Sequence, residues 1–267
     1  MHIRIQDYTS RGTRYCVLIA LNCVLIALIW MCLATQAMAH SWREISPGIE
    51  YSDLNANPLI PWSHIHAFRI DLKKNKLDLV LANELSLHNA SVDAFAHHSQ
   101  ALIAINGGFF DQNYHPLGLR ISNQHQHNPL KRISWWGILY VKDNTPHITS
   151  VREYTHDNQV DFAVQSGPRL LVNGKIPSLR PGYAERTALG ITPEGRLIIL
   201  VTNNSPMTTT ALASIMKSSP LRCHNALNLD GGSSSQLTAH MGLFQINVHG
   251  FSNVSDAIVV KRALNAK

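Results

Sequence analysis

The chain has 267 residues, with 23 lysines and arginines against 17 acids and a formal net charge of +6. An apolar share of 45% is enough for a core without cross-links, and the length suits one fairly large domain or two small ones. The basic residues form no concentrated stripe, and no P-loop or dinucleotide fingerprint is present, which argues against nucleic acid as a partner and against a nucleotide cofactor.

At the start, Arg4, Arg11 and Arg14 stand against the single acid Asp7, and the chain is then almost wholly apolar from Val17 to Leu33 before Ala37-Met38-Ala39. This is the order of a signal peptide, with cleavage expected after Ala39. An uncleaved anchor is the rival reading, since about 17 apolar residues lies near the lower limit for crossing a bilayer. Residues 40–267 are then expected as one periplasmic or secreted domain, with no membrane contact after cleavage. Cys16, Cys23 and Cys32 lie in or beside the leader, which leaves Cys223 without a partner for a disulfide. The leader also carries three of the basic residues and one acid, so the exported part has a net charge of +4.

Strand-length apolar or alternating stretches follow at His66–Leu72, Leu77–Ala82, Ala101–Ile105, Trp136–Val141, Leu197–Thr202, Ala226–Leu229 and Ala257–Val260. Ser91 can cap a short helix through Val92, Phe95 and Ala96, and Thr208 or Thr209 another through Leu212, Ile215 and Met216. Strands outnumber helices, and two helices each lead into an apolar strand. The expected class is α+β, with a mixed, largely buried sheet, a minority of flanking helices and a single domain.

Two of those strands end alike, one in Asn106-Gly107-Gly108-Phe109-Phe110-Asp111, the other in Asp230-Gly231-Gly232-Ser233-Ser234-Ser235. Ligands gather off the C-terminal ends of strands, and paired glycines there supply positive φ and let an anion approach backbone N–H groups. Two tight turns without a ligand would use the same residues. Asp230, an acid ending a buried strand, is costly unless solvated, paired or used, and it is the first catalytic candidate. Asp111 is a second carboxylate for acid–base work, and Arg186, just before an apolar strand, is suited to gripping a phosphate or to pairing with Glu185. Gln165-Ser166-Gly167-Pro168 reads as a polar turn that offers donors or only reverses the chain.

Other chemistries fit less well. Ser233-Ser234-Ser235 lacks the second glycine of a nucleophile elbow, and its hydroxyls and N–H groups are better suited to opening a helix over an oxyanion. Asp111-Gln112-Asn113-Tyr114-His115 begins like a calcium loop, but Pro116 and Ser122 stand where glycine and glutamate are required. His97-His98 and His125-Gln126-His127 have no cysteine partners. No metal and no cofactor is expected.

With these residues in view, the chain resembles the phosphodiester glycosidases related to the lysosomal uncovering enzyme, which removes N-acetylglucosamine from a phosphate diester to mannose. The resemblance rests on ordered blocks: Ala104–Asp111, Pro116-Leu117-Gly118, Ser166–Val172 with Gly174, Glu185–Ile191, Asn225–Ser235, and a closing Val254–Val260. It implies hydrolysis of a sugar 1-phosphodiester, with water attacking the anomeric carbon. On that reading Asp230 is base or nucleophile, Asp111 has a substrate or acid role, and Arg186 stabilises the phosphate. Asn106 meets a sugar hydroxyl, while Gly107, Gly108, Gly118, Ser166, Gly231, Gly232, Ser233 and Ser234 line the substrate. The family's Asp-Gly turn after Leu197–Thr202 is replaced here by Asn203–Thr210, which points to an altered specificity loop. The expected partner is a carbohydrate or glycan phosphodiester of the envelope. A glycosidase or lyase acting on unphosphorylated exopolysaccharide, and a binding module stacking Trp135, Trp136 and Tyr183 on sugars, are the alternatives.

Overall fold

The computed structural model describes Asn22, Cys23, residues 42–55 and residues 59–263. Nearly all of the expected leader lies outside the described residues; Asn22 and Cys23 are helical. The described residues from 42 onward group as one compact unit.

Three antiparallel sheets make up this unit. The first has seven strands in the order β1 (Arg43–Ser46), β2 (Ile49–Asp53), β3 (His64–Ile70), β14 (Leu197–Asn203), β13 (Thr187–Ile191), β16 (Asn225–Asn228) and β11 (Arg169–Leu171). The second runs β7 (His125–Asn128), β6 (Arg120–Ser122), β10 (Phe162–Ser166), β8 (Gly137–Lys142), β9 (Thr145–Ser150). The third runs β18 (Phe244–Val248), β17 (Leu237–Met241), β5 (Ile103–Asn106), β19 (Asp256–Arg262), β4 (Asn75–Leu81). A two-residue pair, β12 (Tyr183–Ala184) with β15 (Met207–Thr208), stands apart.

Every named pairing among the described residues is antiparallel, which corrects the expected mixed sheet. Strand β5, which follows a helix, inserts between β17 and β19, strands that arrive far later in the chain. From residue 42 onward the described residues are mostly β, with several sheets and two α-helices, consistent with the α+β class.

Strand β14 shows why the apolar runs are unbroken. Leu197, Ile199 and Val201 point into a central core shared by the three sheets, beside Phe68, Phe162, Ile105 and Ile258. Ile198 and Leu200 point the other way, into a second core under helix α2 (Thr209–Lys217). A strand buried on both faces has no polar side to show. Helix α1 (Val92–Ser99) is capped by the Ser91 hydroxyl, which accepts the Ala94 N–H at 3.2 Å, and it buries Val92, Phe95 and Ala96 on the third sheet. Thr208 caps α2 in the same way at 3.1 Å.

Candidate active site

The two glycine loops meet where β5 and β16 end, and Asn106 joins them. Its Nδ2 donates to the Asp230 carbonyl at 2.9 Å and to the Gly107 carbonyl at 3.3 Å. Its Oδ1 accepts from the Thr187 hydroxyl at 2.7 Å and from the Gln236 N–H at 3.2 Å. Both donors and both lone pairs are occupied, and the residue is fully buried. Asn106, expected to meet a sugar hydroxyl, here joins the two loops.

Gly107 and Gly108 lack side chains because a buried ion pair fills that space. A Cβ on Gly107 would stand 1.7 Å from Oδ1 of Asp256, and one on Gly108 would stand 2.7 Å from Nη2 of Arg120. Arg120 Nε donates to both carboxylate oxygens of Asp256, at 3.2 and 3.3 Å, and both side chains are fully buried. The remaining guanidinium N–H groups reach the carbonyls of Phe109, Leu117, Gly118, Leu119 and Gln165, while Ser255 donates to Asp256 at 2.7 Å. The pair is thus compensated on every side, which burial of two charges demands. Sequence reasoning missed both residues. The signal was a single charge, between apolar neighbours in Leu119-Arg120-Ile121 and at the opening of the apolar run in Asp256-Ala257-Ile258.

Asp230 is half-buried just after β16. Burial pushes its carboxyl above the ordinary aspartate value, and the Asp256 charge adds to that; the Ser234 hydroxyl, the Gly231 N–H and Arg120 pull the other way. The Gly231 N–H donates to Oδ1 at 2.9 Å. A carboxyl that holds its proton more tightly than usual, at the junction of two loops, is suited to proton transfer.

Several of the loop N–H groups expected to meet an anion bond within the protein. Gly107 donates to the Asp256 carbonyl, Gly232 to the Glu185 carbonyl, Ser234 to Gly231 and Ser235 to Gly232. Gly232–Ser234 make one short 3-10 turn that ends at Ser235, with Ser234 and Ser235 buried and Ser233 exposed. Only Gly232 of the four loop glycines has positive φ, at 63°.

The other expected residues divide. Arg186 is buried, and its guanidinium donates from Nε to the Met207 carbonyl at 2.9 Å and from Nη2 to the Gly182 carbonyl; Nη1 makes no hydrogen bond among the described residues. It stays near Asp230's loop through Glu185, whose carbonyl takes the Gly232 N–H at 2.9 Å. Asp111 lies elsewhere in bonding terms, on a turn with Tyr114 at positive φ. Its carboxylate accepts the N–H groups of Asn113 and His115 and the His115 ring nitrogen, and these bonds hold its pKa below the usual value. A lowered pKa does not favour the acid part of its expected substrate or acid role. Gly118, at φ 88°, makes room for Gln165, and Ser166 ends β10 fully buried with its hydroxyl unpartnered. Ser166, read as part of a polar turn, thus ends strand β10. Among the described residues no group of three or more His, Cys, Asp or Glu is placed to hold a metal ion.

A model of the phosphodiester glycosidase family matches residues 99–261, more than half of the chain, and the chain belongs to that family. The uncharacterized protein YigE of Escherichia coli K12 is 33% identical over 118 residues, which is 40% of this chain and 46% of YigE. The chain thus spans about half the length of the curated relative it matches. Among solved structures, the zebrafish N-acetylglucosamine-1-phosphodiester alpha-N-acetylglucosaminidase catalytic domain, auto-inhibited by its pro-peptide, has a similar fold. The TM-score is 0.63 at 19% identity, covering 85% of this chain and 87% of that one. A hypothetical protein from Synechocystis superposes with a TM-score of 0.60 at 16% identity, covering 85% of this chain and 65% of the other.

Proposed function

We propose that this chain is an exported hydrolase that cleaves sugar 1-phosphodiesters in envelope or extracellular glycans. The observation that carries this is Asp230, a half-buried carboxyl with a raised pKa at the meeting of two loops, in a chain of the phosphodiester glycosidase family. Water adds its oxygen to the anomeric carbon, its proton passes to the Asp230 carboxylate, and the bond from that carbon to the phosphate oxygen breaks. The phosphate leaves as a monoester with the bonding electrons. Phosphate is a good leaving group, so proton donation to it matters less than in ordinary glycoside cleavage. Arg186, with Nη1 unused, is assigned the positive charge toward that phosphate. Export rests on the basic start, apolar run and Ala37-Met38-Ala39 of the leader.

The test is release of free sugar from a methyl diester of N-acetylglucosamine 1-phosphate in water enriched with oxygen-18. The label is expected in the sugar's anomeric hydroxyl, and Asp230→Asn is expected to lower kcat by roughly a thousandfold. Because the base must be ionised, the rate should rise with pH through a value above the normal aspartate range. The variant should not be less stable than the parent. Asp230 binds its proton more tightly folded than unfolded, so between the two pKa values stability falls as pH rises, and at neutral pH its charge opposes folding. Label in the phosphate, or full activity in Asp230→Asn, would sink the proposal.

A further inference from the structure

Among the described residues four large aromatic side chains are exposed, Trp62, Trp135, Tyr183 and Phe251, with Phe251 the most at 96%. A lone exposed aromatic is ordinary, but a group gathered at one place marks a binding surface. Phe251 is bonded to a glycine loop directly, and the other three connect to the loops through intervening residues. Phe251 donates its N–H to the Ser233 carbonyl at 2.9 Å, and the neighbouring Ser252 hydroxyl meets that of Ser233 at 3.2 Å. On the other flank, the Trp62 carbonyl accepts from Asn204 at 3.0 Å. Ser205 donates to the Glu185 carboxylate at 3.1 Å, and the Glu185 carbonyl takes the Gly232 N–H. Tyr183 pairs with Thr208 and follows Gly182, whose carbonyl takes the Arg186 guanidinium. Trp135 stands edge-on to Trp136 at 5.8 Å, and Trp136 packs at 5.2 Å on Phe109, the residue after Gly108.

Two features identify the occupant. The rings come from separate segments, Tyr183 from β12 and the others from turns or bends, and hydroxyl and amide groups accompany them, Ser233 and Ser252 beside Phe251 and Asn204 beside Trp62. A lipid surface or a protein core would favour one continuous apolar face. An alternation of flat rings and hydrogen-bonding groups suits pyranose units, whose C–H faces stack on aromatics while their hydroxyls need polar partners. Trp and Tyr are also rigid, amphipathic contact residues that lose little entropy on binding.

We propose that Trp62, Tyr183 and Phe251 are stacking subsites for sugar rings on both flanks of the Asp230 loop, so that the substrate is a glycan chain of several units rather than a single sugar diester. This rests on the hydrolase reading for the position of the scissile bond, but the stacking surface is testable without turnover. Fragments of one, three and six repeats of a polysaccharide joined through N-acetylglucosamine 1-phosphodiesters are titrated calorimetrically into the Asp230→Asn chain, alone and with Trp62→Ala, Tyr183→Ala or Phe251→Ala added. Affinity is expected to rise with length, and each alanine should weaken six-repeat binding about two- to tenfold more than one-repeat binding. No dependence on length, or equal six-repeat affinity with and without the aromatics, overturns the proposal. So does loss of binding to phosphatidylglycerol vesicles in the alanine variants with glycan affinity unchanged. If length-dependent binding appears while the wild-type chain cleaves none of the fragments, the subsites stand and the hydrolase reading falls.

Discussion

Replacing Gly107 by alanine should be among the most damaging single-methyl changes available in this fold. The added Cβ would lie 1.7 Å from Asp256 Oδ1 and 2.7 Å from its Cγ, where ordinary contact begins near 3.4 Å. Relief therefore needs a displacement of about 1.7 Å. The loop cannot simply slide away, because the Gly107 N–H is bonded to the Asp256 carbonyl at 3.0 Å and Asn106 is tied on its other side. The carboxylate must move instead. A shift of that size separates it from Arg120 Nε, which stands at 3.2 Å with no route to solvent. Uncoupling one member of a buried pair costs about 3–5 kcal/mol, or about 10 °C in Tm for a domain of this size. Gly232→Ala is the control. It shares the loop environment and sits at φ 63°, but nothing lies within 4 Å of its Cβ, so only backbone strain of about 1–2 kcal/mol applies. Urea unfolding followed by tryptophan fluorescence compares the two at equal m-values. If Gly107→Ala loses no more stability than Gly232→Ala, the space for the ion pair is not the reason for glycine there.

The ion pair itself should show strong coupling. Asp256→Leu and Arg120→Met are each expected to cost about 3–5 kcal/mol, while the double variant costs clearly less than the sum, since it leaves no buried charge unpaired; additive losses in a double-mutant cycle would contradict this. His66 gives a pH signature. It is buried beside the Tyr51 hydroxyl at 2.9 Å, and burial lowers its pKa to about 4. The unfolded chain takes up that proton below about pH 6.5 while the fold refuses it, so stability present above that value is lost as pH falls toward 4, by roughly 3 kcal/mol in total. Denaturant midpoints measured from pH 7 to 4 should fall less steeply in His66→Gln than in the parent, and parallel profiles would refute the assignment.

What could be read in advance follows from how each segment meets its surroundings. The run Leu197–Thr202 and the Ser91 cap were legible because burial on both faces and a single hydroxyl–N–H bond leave local marks. The edge strand β7 was not, since all four of its residues are polar and it owes its place only to β6. The β17–β18 hairpin hides its turn in Met241-Gly242-Leu243, a glycine at φ 61° amid apolar residues. Gln165 and Ser166 looked like a turn because they are polar. They end a buried strand because the Gln165 amide is taken up by the Leu119 and Lys131 backbone, a partner set distant in sequence.

The glycine loops carry the deeper difference between pattern and cause. Both pairs are absences of side chain, and an absence in sequence does not say what occupies the space. For Gly107 and Gly108 the occupant is Asp256 with Arg120, and for Gly231 it is the Glu185 carbonyl, 2.7 Å from where a Cβ would be. None of these is a ligand. The loops are therefore tight because the protein packs against itself there, and that packing places Asp256 where its charge adds to the burial that raises Asp230. The tight turns and the perturbed carboxyl are two results of one arrangement. It follows that a variant which relaxes the loops without touching Asp230, such as Gly107→Ala, should also bring the acid limb of any pH–rate profile closer to that of an ordinary aspartate, because a loosened junction admits water to the carboxyl.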